Sequence, residues 1–233
     1  KLPEPKTNFT IGIVDDVTFL SLPQAEAVDV TDEATYQARF WGLGSDGTVG
    51  ANKNSIKIIG DHTDQYAQAY FSYDSKKSGG VTISDLRFGK KPIRAPYLVH
   101  TADFVACHTP AYVNTYDMLT PLKKGGSFLL NSGWSDAEIE EKLPAAVKRA
   151  LAERNADFYV IDAASIAEEL GLGGRINTIC QAAFFKISEV IPVDDAVTYM
   201  KEAIVKSYGK RGEDIVRMNY NAVDAGITQL RKV

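Results

Sequence analysis

Hydrophobic residues in this chain fall into short β-rich runs, separated by glycine turns or by stretches with helical spacing. The β-rich runs occupy residues 36–41, 66–73, 81–88, 104–107, 127–131 and 158–161. Helical spacing follows at 52–59, 112–122, 135–154 and 164–170, and Pro144 predicts a kink or break in the third of these. Because strands and helices alternate, we predict a three-layer α/β fold with a parallel-rich, or mixed, sheet.

The two ends of the chain depart from this alternation. The first 35 residues contain Pro3, Pro5 and Pro23 and one short β-like run at 9–14. Such a segment is typical of a connecting arm with one or two edge strands. Beyond Gly174 the spacing is helical only, over 177–189, 194–208 and 212–230. We therefore predict an arm over 1–35 and an α/β domain over 36–233 that ends in a helical C-terminal tail.

The most informative local pattern is the glycine-rich turn between the first strand and the first helix. Glycines occupy positions 42, 44, 47 and 50, so few side chains cover the backbone where the strand ends and the helix begins. Exposed N–H groups at a helix N-terminus favour an anion, which predicts a phosphate site over residues 44–48. The first three glycines also fit G-x-G-x-x-G, although the spacing alone fits equally well a turn that binds nothing.

Two lysines follow the second predicted strand. In a doubly wound sheet, the loop after that strand lies beside the ribose of a nucleotide bound at the first turn. Lys76 and Lys77 therefore indicate a phosphorylated ribose, either the 2′-phosphate of NADP or the 3′-phosphate of coenzyme A. The alternative is a pair of solvated loop lysines.

Composition excludes several classes of function. The 233 residues are 45% hydrophobic and 24% charged, with a formal net charge of −4, which argues against a nucleic-acid partner. No apolar run is long enough to span a membrane and no N-terminal signal is present, so we expect a cytoplasmic protein without a membrane partner. The only two cysteines are Cys107 and Cys180, which cannot supply a four-cysteine cluster.

The histidines predict no metal site. His62, His100 and His108 lack metal-ligand spacing, so we expect surface or packing roles for them.

Five segments in order along the chain carry a more specific resemblance. They are FTIGIVDDVT at 9–18, FWGLGSDGTVGANKNS at 40–55, YDSKKSGG at 73–80, GRINT at 174–178 and VRMNY at 216–220. Together they resemble the γ-type domain of the pyruvate:ferredoxin (flavodoxin) oxidoreductases, within the 2-oxoacid oxidoreductase family. The resemblance extends over essentially the whole chain, including the arm.

The resemblance implies an enzymatic function that requires further domains beside this chain. Members of the family decarboxylate pyruvate on thiamine diphosphate, pass electrons through iron–sulfur clusters to ferredoxin or flavodoxin, and release acetyl-coenzyme A. The chain then represents the coenzyme A-binding domain of a multidomain enzyme. Thiamine diphosphate, the clusters and the catalytic residues are expected in other domains. The implied coenzyme A-binding residues are Gly44, Ser45, Asp46, Gly47, Thr48, Lys76, Asn177 and Asn219.

Ligand chemistry suggests a role for each implied residue. The backbone N–H groups of residues 44–48 would hold the pyrophosphate, aided by the hydroxyl of Ser45 or Thr48. Lys76 would pair with the 3′-phosphate. The Asp46 carboxylate would repel phosphate, so we expect it to cap the helix or to accept a ribose hydroxyl.

The two asparagines come from the resemblance alone. Asn177 and Asn219 each offer a donor and an acceptor, which suits the adenine edge or the pantetheine amides.

Two other functions remain open at this point. One is an NADP-binding oxidoreductase domain, which the glycine spacing and the lysines favour but for which no Tyr-x-x-x-Lys pair is present. The other is an interdomain scaffold that binds no nucleotide. A coenzyme A-binding domain should bind coenzyme A more tightly than NADP, and an NADP-binding domain should show the reverse. A scaffold should bind neither nucleotide.

Overall fold

The computed structural model describes residues 7–13, 17–23, 29–74 and 79–233. The chain divides into two compact units, Lys1–Thr31 and Asp32–Val233. In the first unit, Thr10 and Ser21 form an isolated parallel bridge, with their hydroxyl oxygens 2.9 Å apart. The helices and strands described below all belong to the second unit.

Seven strands form one mixed sheet. In chain order they are β1 (Tyr36–Leu43), β2 (Tyr66–Tyr73), β3 (Val81–Gly89), β4 (Ala102–Cys107), β5 (Leu122–Asn131), β6 (Asp157–Ile161) and β7 (Arg231–Lys232). Their spatial order is β2-β3-β1-β4-β5-β6-β7. Strands β1, β4, β5 and β6 are parallel, whereas β3 is antiparallel to both β1 and β2, and β7 is antiparallel to β6.

The helices cover both faces of this sheet. They are α1 (Thr48–His62), α2 (Asp136–Lys142), α3 (Ala145–Glu153), α4 (Ala163–Glu169), α5 (Asn177–Ser188), α6 (Val193–Tyr208) and α7 (Glu213–Thr228). Adjacent β1 residues point to opposite faces, so Phe40 joins the core beneath α1 and α5 and Trp41 joins the core on the other side. The predicted three-layer α/β class is confirmed. None of the helices in the described ranges is long and apolar enough to cross a membrane.

The helix predicted over 112–122 is wrong. A short 3₁₀ helix, Pro110–Asn114, replaces it, and β5 already begins at Leu122, which pairs with Ala102 of β4. The intervening chain turns where Asp117 accepts the Thr120 N–H at 3.1 Å. The helical spacing of this segment therefore reflects burial of a turn rather than a helix.

The strand order also differs from that of a doubly wound sheet. Strands β2 and β3 form an antiparallel pair, and β3 rather than β2 lies next to β1. Pro144, by contrast, breaks the predicted long helix into α2 and α3, and Ser135 and Glu138 form the capping box at the start of α2.

Helix α5 lies at the centre of the larger core. Eight of its residues are buried, and the Phe184 ring lies 5.1 Å from Phe40 and 5.2 Å from Phe104. Helix α7 packs closely on α5 because Gly226 carries no side chain: a Cβ there would lie 2.5 Å from the Ile179 carbonyl oxygen. Close helix packing thus fixes the position of α5.

We predict that Gly226→Ala lowers the free energy of unfolding by about 1–3 kcal/mol, because the added methyl overpacks the α5–α7 contact. The matched control is Gly60→Ala in α1, where a Cβ meets no atom within 4 Å. That control raises the free energy of unfolding by about 0.5 kcal/mol through helix propensity. Urea unfolding measures both, and equal shifts in the two variants would contradict the close-packing argument.

Candidate functional site

The loop between β1 and α1 has a backbone that few residue types adopt. Ser45 and Gly47 both lie in the left-handed region, with φ of 79° and 90°. A Cβ on Gly47 would lie 2.9 Å from the Cβ of Asn177, the first residue of α5. Glycine at position 47 therefore allows both the turn and its close contact with α5.

The Asp46 carboxylate holds this loop from within. Its Oδ2 accepts the Leu43 N–H at 2.8 Å and the Thr48 hydroxyl at 2.9 Å, and its Oδ1 accepts the Thr48 N–H at 2.8 Å. The negative charge is thus directed at the loop and the first N–H of α1. Asp46 therefore bonds the first N–H of α1 from the position before the N-cap residue, which is Gly47.

The buried side chain of His108 is hydrogen-bonded to the loop. Nδ1 of His108 lies 2.7 Å from Oγ1 of Thr48, and both residues are buried. Since the Thr48 hydroxyl donates its single proton to Asp46, the histidine nitrogen is the donor in this contact. The result is a chain of hydrogen bonds from His108 through Thr48 to Asp46.

His108 is held in its neutral form. Burial lowers the pKa of His108, and the Asp46 carboxylate only partly opposes that effect. With Nδ1 protonated, Nε2 has a lone pair, and it has no hydrogen-bond partner among the described residues. The histidine therefore adds no positive charge to the loop.

Sequence reasoning missed His108, which we expected to have only a surface or packing role. It directly follows β4, and its N–H donates to the Trp41 carbonyl of β1 at 2.9 Å. The Asn131 amide at the end of β5 donates to the His108 carbonyl at 2.9 Å. The available signal was its place after a buried strand, because the carboxyl ends of parallel strands meet at one edge of the sheet.

Several backbone donors of the loop are already used within the protein. Gly44 donates to the Gly80 carbonyl at 2.7 Å, and Asp46 donates to the Leu43 carbonyl at 3.0 Å. The Thr48 N–H and hydroxyl both bond Asp46. Of the two hydroxyls considered for a ligand, the Thr48 group is therefore engaged internally, whereas Ser45 is exposed.

Four other backbone donors remain at the start of α1. In the parts of the chain that the structure describes, no acceptor is present for the N–H groups of Ser45, Gly47, Val49 and Gly50. The first N–H groups of a helix carry partial positive charge, so this cluster attracts an anion.

Two cavities adjoin these donors. The larger cavity, of about 540 Å³, is lined by the loop together with Val49, Gly50, Tyr73, Asp74 and Thr82. The smaller cavity, of about 250 Å³, lies between α1, α5 and α6 and is lined partly by Asn177. Gly50 lines both cavities. One extended ligand could therefore contact the loop and both spaces.

The remaining implied residues differ in their relation to the loop. Asn177 contacts Gly47, as described above. Lys76 lies outside the described residues, but Gly79 and Gly80 just beyond it hydrogen-bond the backbone of Gly44.

Asn219 lies on α7, and its amide donates to the Ile215 carbonyl at 2.8 Å within that helix. Met218 of α7 lies near Gly171, and Gly226 packs on Ile179 of α5. Asn219 is buried, and it lines neither cavity.

The cysteines do not add chemistry to this site. Both are buried free thiols, and burial raises the pKa of Cys107 to about 12 and raises the pKa of Cys180 as well. Among the described residues, no group of three or more His, Cys, Asp or Glu side chains could hold a metal ion.

Comparison with known proteins identifies clear relatives. The family model described as pyruvate ferredoxin/flavodoxin oxidoreductase matches residues 37–229. Pyruvate:ferredoxin oxidoreductase of Moorella thermoacetica is 59% identical over 229 residues, which are 98% of this chain and 20% of the relative. The chain thus spans about a fifth of the length of this relative.

Two solved structures share the fold. A pyruvate oxidoreductase subunit from Thermotoga maritima has a TM-score of 0.66 at 18% identity, covering 86% of this chain and 99% of that one. A 2-oxoglutarate:ferredoxin oxidoreductase from Magnetococcus marinus, solved with 2-oxoglutarate, coenzyme A and succinyl-CoA bound, has a TM-score of 0.60 at 19% identity. It covers 84% of this chain and 31% of that one.

We predict that His108 makes stability depend on pH. The unfolded chain takes up a proton at His108 below its ordinary pKa of about 6.5, whereas the folded chain resists it because burial lowers that pKa. Stability is therefore lost as pH falls below about 6.5, by up to about 2 kcal/mol at pH 5. His108→Gln should remove this part of the loss.

Urea unfolding of the wild type and His108→Gln at pH 7 and pH 5 measures the difference. His100→Gln, at an exposed histidine, controls for loss of one imidazole. Parallel curves for the wild type and His108→Gln would contradict a buried neutral histidine.

Proposed function

The chain belongs to the pyruvate ferredoxin/flavodoxin oxidoreductase family, and from that premise we propose that it binds coenzyme A as one domain of a larger enzyme. The observation that carries the proposal is the cluster of four N–H groups without acceptors beside the larger cavity. Such donors suit a pyrophosphate. The coenzyme A bound in the Magnetococcus marinus enzyme, which shares this fold, also favours the ligand.

The proposed contacts follow from which groups remain available. The N–H groups of Ser45, Gly47, Val49 and Gly50 would bind the pyrophosphate, and the Ser45 hydroxyl could add one bond. Asp46 and Thr48 would act indirectly, since their side chains hold the loop in shape. Gly44 contributes through its bond to Gly80 rather than through a contact with the ligand.

The resemblance supplies the rest of the site. Lys76 would pair with the 3′-phosphate, because it precedes two glycines that contact the loop. Asn177 lies against Gly47, within reach of a ligand bound on the loop. Asn219 would accept a hydrogen bond from the ligand through its amide oxygen, because its amide nitrogen already donates to the Ile215 carbonyl.

We propose that the complete enzyme oxidises pyruvate to acetyl-coenzyme A in the cytoplasm and reduces ferredoxin or flavodoxin. Thiamine diphosphate and iron–sulfur clusters would belong to other domains of the same enzyme. This chain would hold the nucleotide end of coenzyme A and so present the thiol to the reaction centre of a neighbouring domain. Fixing one end of the substrate in this way replaces a random encounter with a positioned one.

The strand order disfavours an NADP-binding domain. In a dinucleotide-binding sheet, a parallel β2 lies next to β1, whereas here the antiparallel β3 occupies that place. The scaffold alternative differs from both in that it predicts no nucleotide affinity.

We predict that Lys76→Ala weakens coenzyme A binding roughly tenfold or more, because a charge-assisted contact to the 3′-phosphate is lost. Dephospho-coenzyme A, which lacks that phosphate, should bind the wild type more weakly and the variant about equally. Calorimetry on the 233-residue chain measures all four affinities, with Lys124→Ala, at an exposed lysine, as the control. Tighter binding of NADP would contradict the ligand, and no binding of any nucleotide would favour the scaffold.

We also predict that Gly47→Ala weakens coenzyme A binding at least tenfold, because the new methyl group would collide with Asn177 and displace the loop donors. The matched control is Gly125→Ala. Gly125 also has a positive φ, of 71°, but a Cβ there meets no atom within 4 Å. The control suffers similar backbone strain and should retain wild-type affinity. Equal affinities for both variants would show that the Gly47 contact does not position the ligand.

A further inference from the structure

The smaller cavity has an unusual lining for a space beside a phosphate site. No charged side chain lines it, and its walls are amides, hydroxyls and apolar groups from α1, α5 and α6. The polar members are Asn54, Asn177, Thr178, Gln181, Ser207 and Tyr208. A phosphate or a metal ion would find no compensating charge there, so the lining suits an uncharged polar group.

One side-chain donor in this lining, Nε2 of Gln181, lacks an acceptor among the described residues. Gln181 is only 7% exposed, and its Oε1 accepts a long hydrogen bond from Asn54 at 3.4 Å. Its Nε2 is buried and has no hydrogen-bond acceptor among the described residues. An unpaired buried donor is costly, and a ligand with an acceptor at this point would satisfy it.

The smaller cavity also adjoins the proposed phosphate donors. Gly50, whose N–H is one of them, lines it, and Asn177 both lines it and contacts Gly47. A nucleotide with its phosphates on the loop could therefore place a neighbouring group between α1, α5 and α6.

We infer that the smaller cavity binds the adenine base, with Gln181 as the residue that recognises it; this rests on the proposed function. Adenine carries an exocyclic amine beside a ring nitrogen, and a glutamine amide matches such an edge with one acceptor and one donor. The pantetheine arm is the other uncharged part of coenzyme A. That arm must leave the domain to deliver its thiol, whereas this cavity is walled by three helices of the same chain.

The experiment compares fragments of coenzyme A on the 233-residue chain by calorimetry. Adenosine 3′,5′-bisphosphate carries the base without the pantetheine arm, 4′-phosphopantetheine carries the arm without the base, and inosine 3′,5′-bisphosphate replaces the exocyclic amine with a carbonyl. Gln181→Leu removes the amide at similar size, and Gln229→Leu makes the same change at an exposed position as the control. Ala203→Phe instead fills the cavity from α6 and serves if Gln181→Leu does not fold.

We expect Gln181→Leu to weaken the binding of coenzyme A and of adenosine 3′,5′-bisphosphate about tenfold and to abolish the preference for adenine over hypoxanthine. The affinity for 4′-phosphopantetheine should change less than about twofold. Ala203→Phe should weaken the same two adenine ligands. If the variants bound 4′-phosphopantetheine more weakly but adenosine 3′,5′-bisphosphate with unchanged affinity, the cavity would hold the pantetheine arm and the inference would be overturned. Unchanged affinities for all ligands in both variants would overturn it while leaving coenzyme A binding intact. Failure of the wild type to bind coenzyme A would overturn the proposed function itself.

Discussion

The candidate site depends on one carboxylate that accepts three hydrogen bonds from its own loop. Asp46 joins the last N–H of β1, at Leu43, to the first N–H and the hydroxyl of α1, at Thr48. These bonds span the two residues with left-handed backbone, Ser45 and Gly47, and of these the non-glycine Ser45 is the one for which that conformation is costly. The contact of Gly47 with Asn177 of α5 follows from that shape.

The same carboxylate determines how the loop can attract an anion. The Asp46 carboxylate is hydrogen-bonded to two backbone N–H groups and the Thr48 hydroxyl. The nearby His108 is neutral because burial lowers its pKa. Attraction therefore comes from oriented peptide dipoles rather than from a side-chain cation. Such a site selects an anion whose oxygens match the positions of the N–H groups. A cation that pairs with a second phosphate must come from another segment of the chain.

Features set by near neighbours in sequence could be predicted, whereas those set by contacts between distant residues could not. The glycine turn, the capping box at Ser135 and the break at Pro144 all depend on residues within a few positions of each other. The pairing of Leu122 with Ala102 and the bond between Thr48 and His108 join residues 20 and 60 positions apart. For the same reason, hydrophobic spacing alone could not reveal that β3 lies between β1 and β2, or that Gln181 would lie beside Asn54.

The burial of α5 has a consequence for how this family could diversify. Eight of its twelve residues are buried, so a change on that helix disturbs the aromatic core as well as any ligand. Helix α6, which forms the opposite wall of the smaller cavity, buries only Ala196, Met200 and Ile204 of its sixteen residues. Two of these, Met200 and Ile204, also line the cavity, whereas Ala203, Ser207 and Tyr208 line it without being buried, so substitutions at those three positions carry a smaller penalty in folding. A different ligand would therefore be accommodated more readily by substitutions at Ala203, Ser207 and Tyr208 of α6 than by changes on α5.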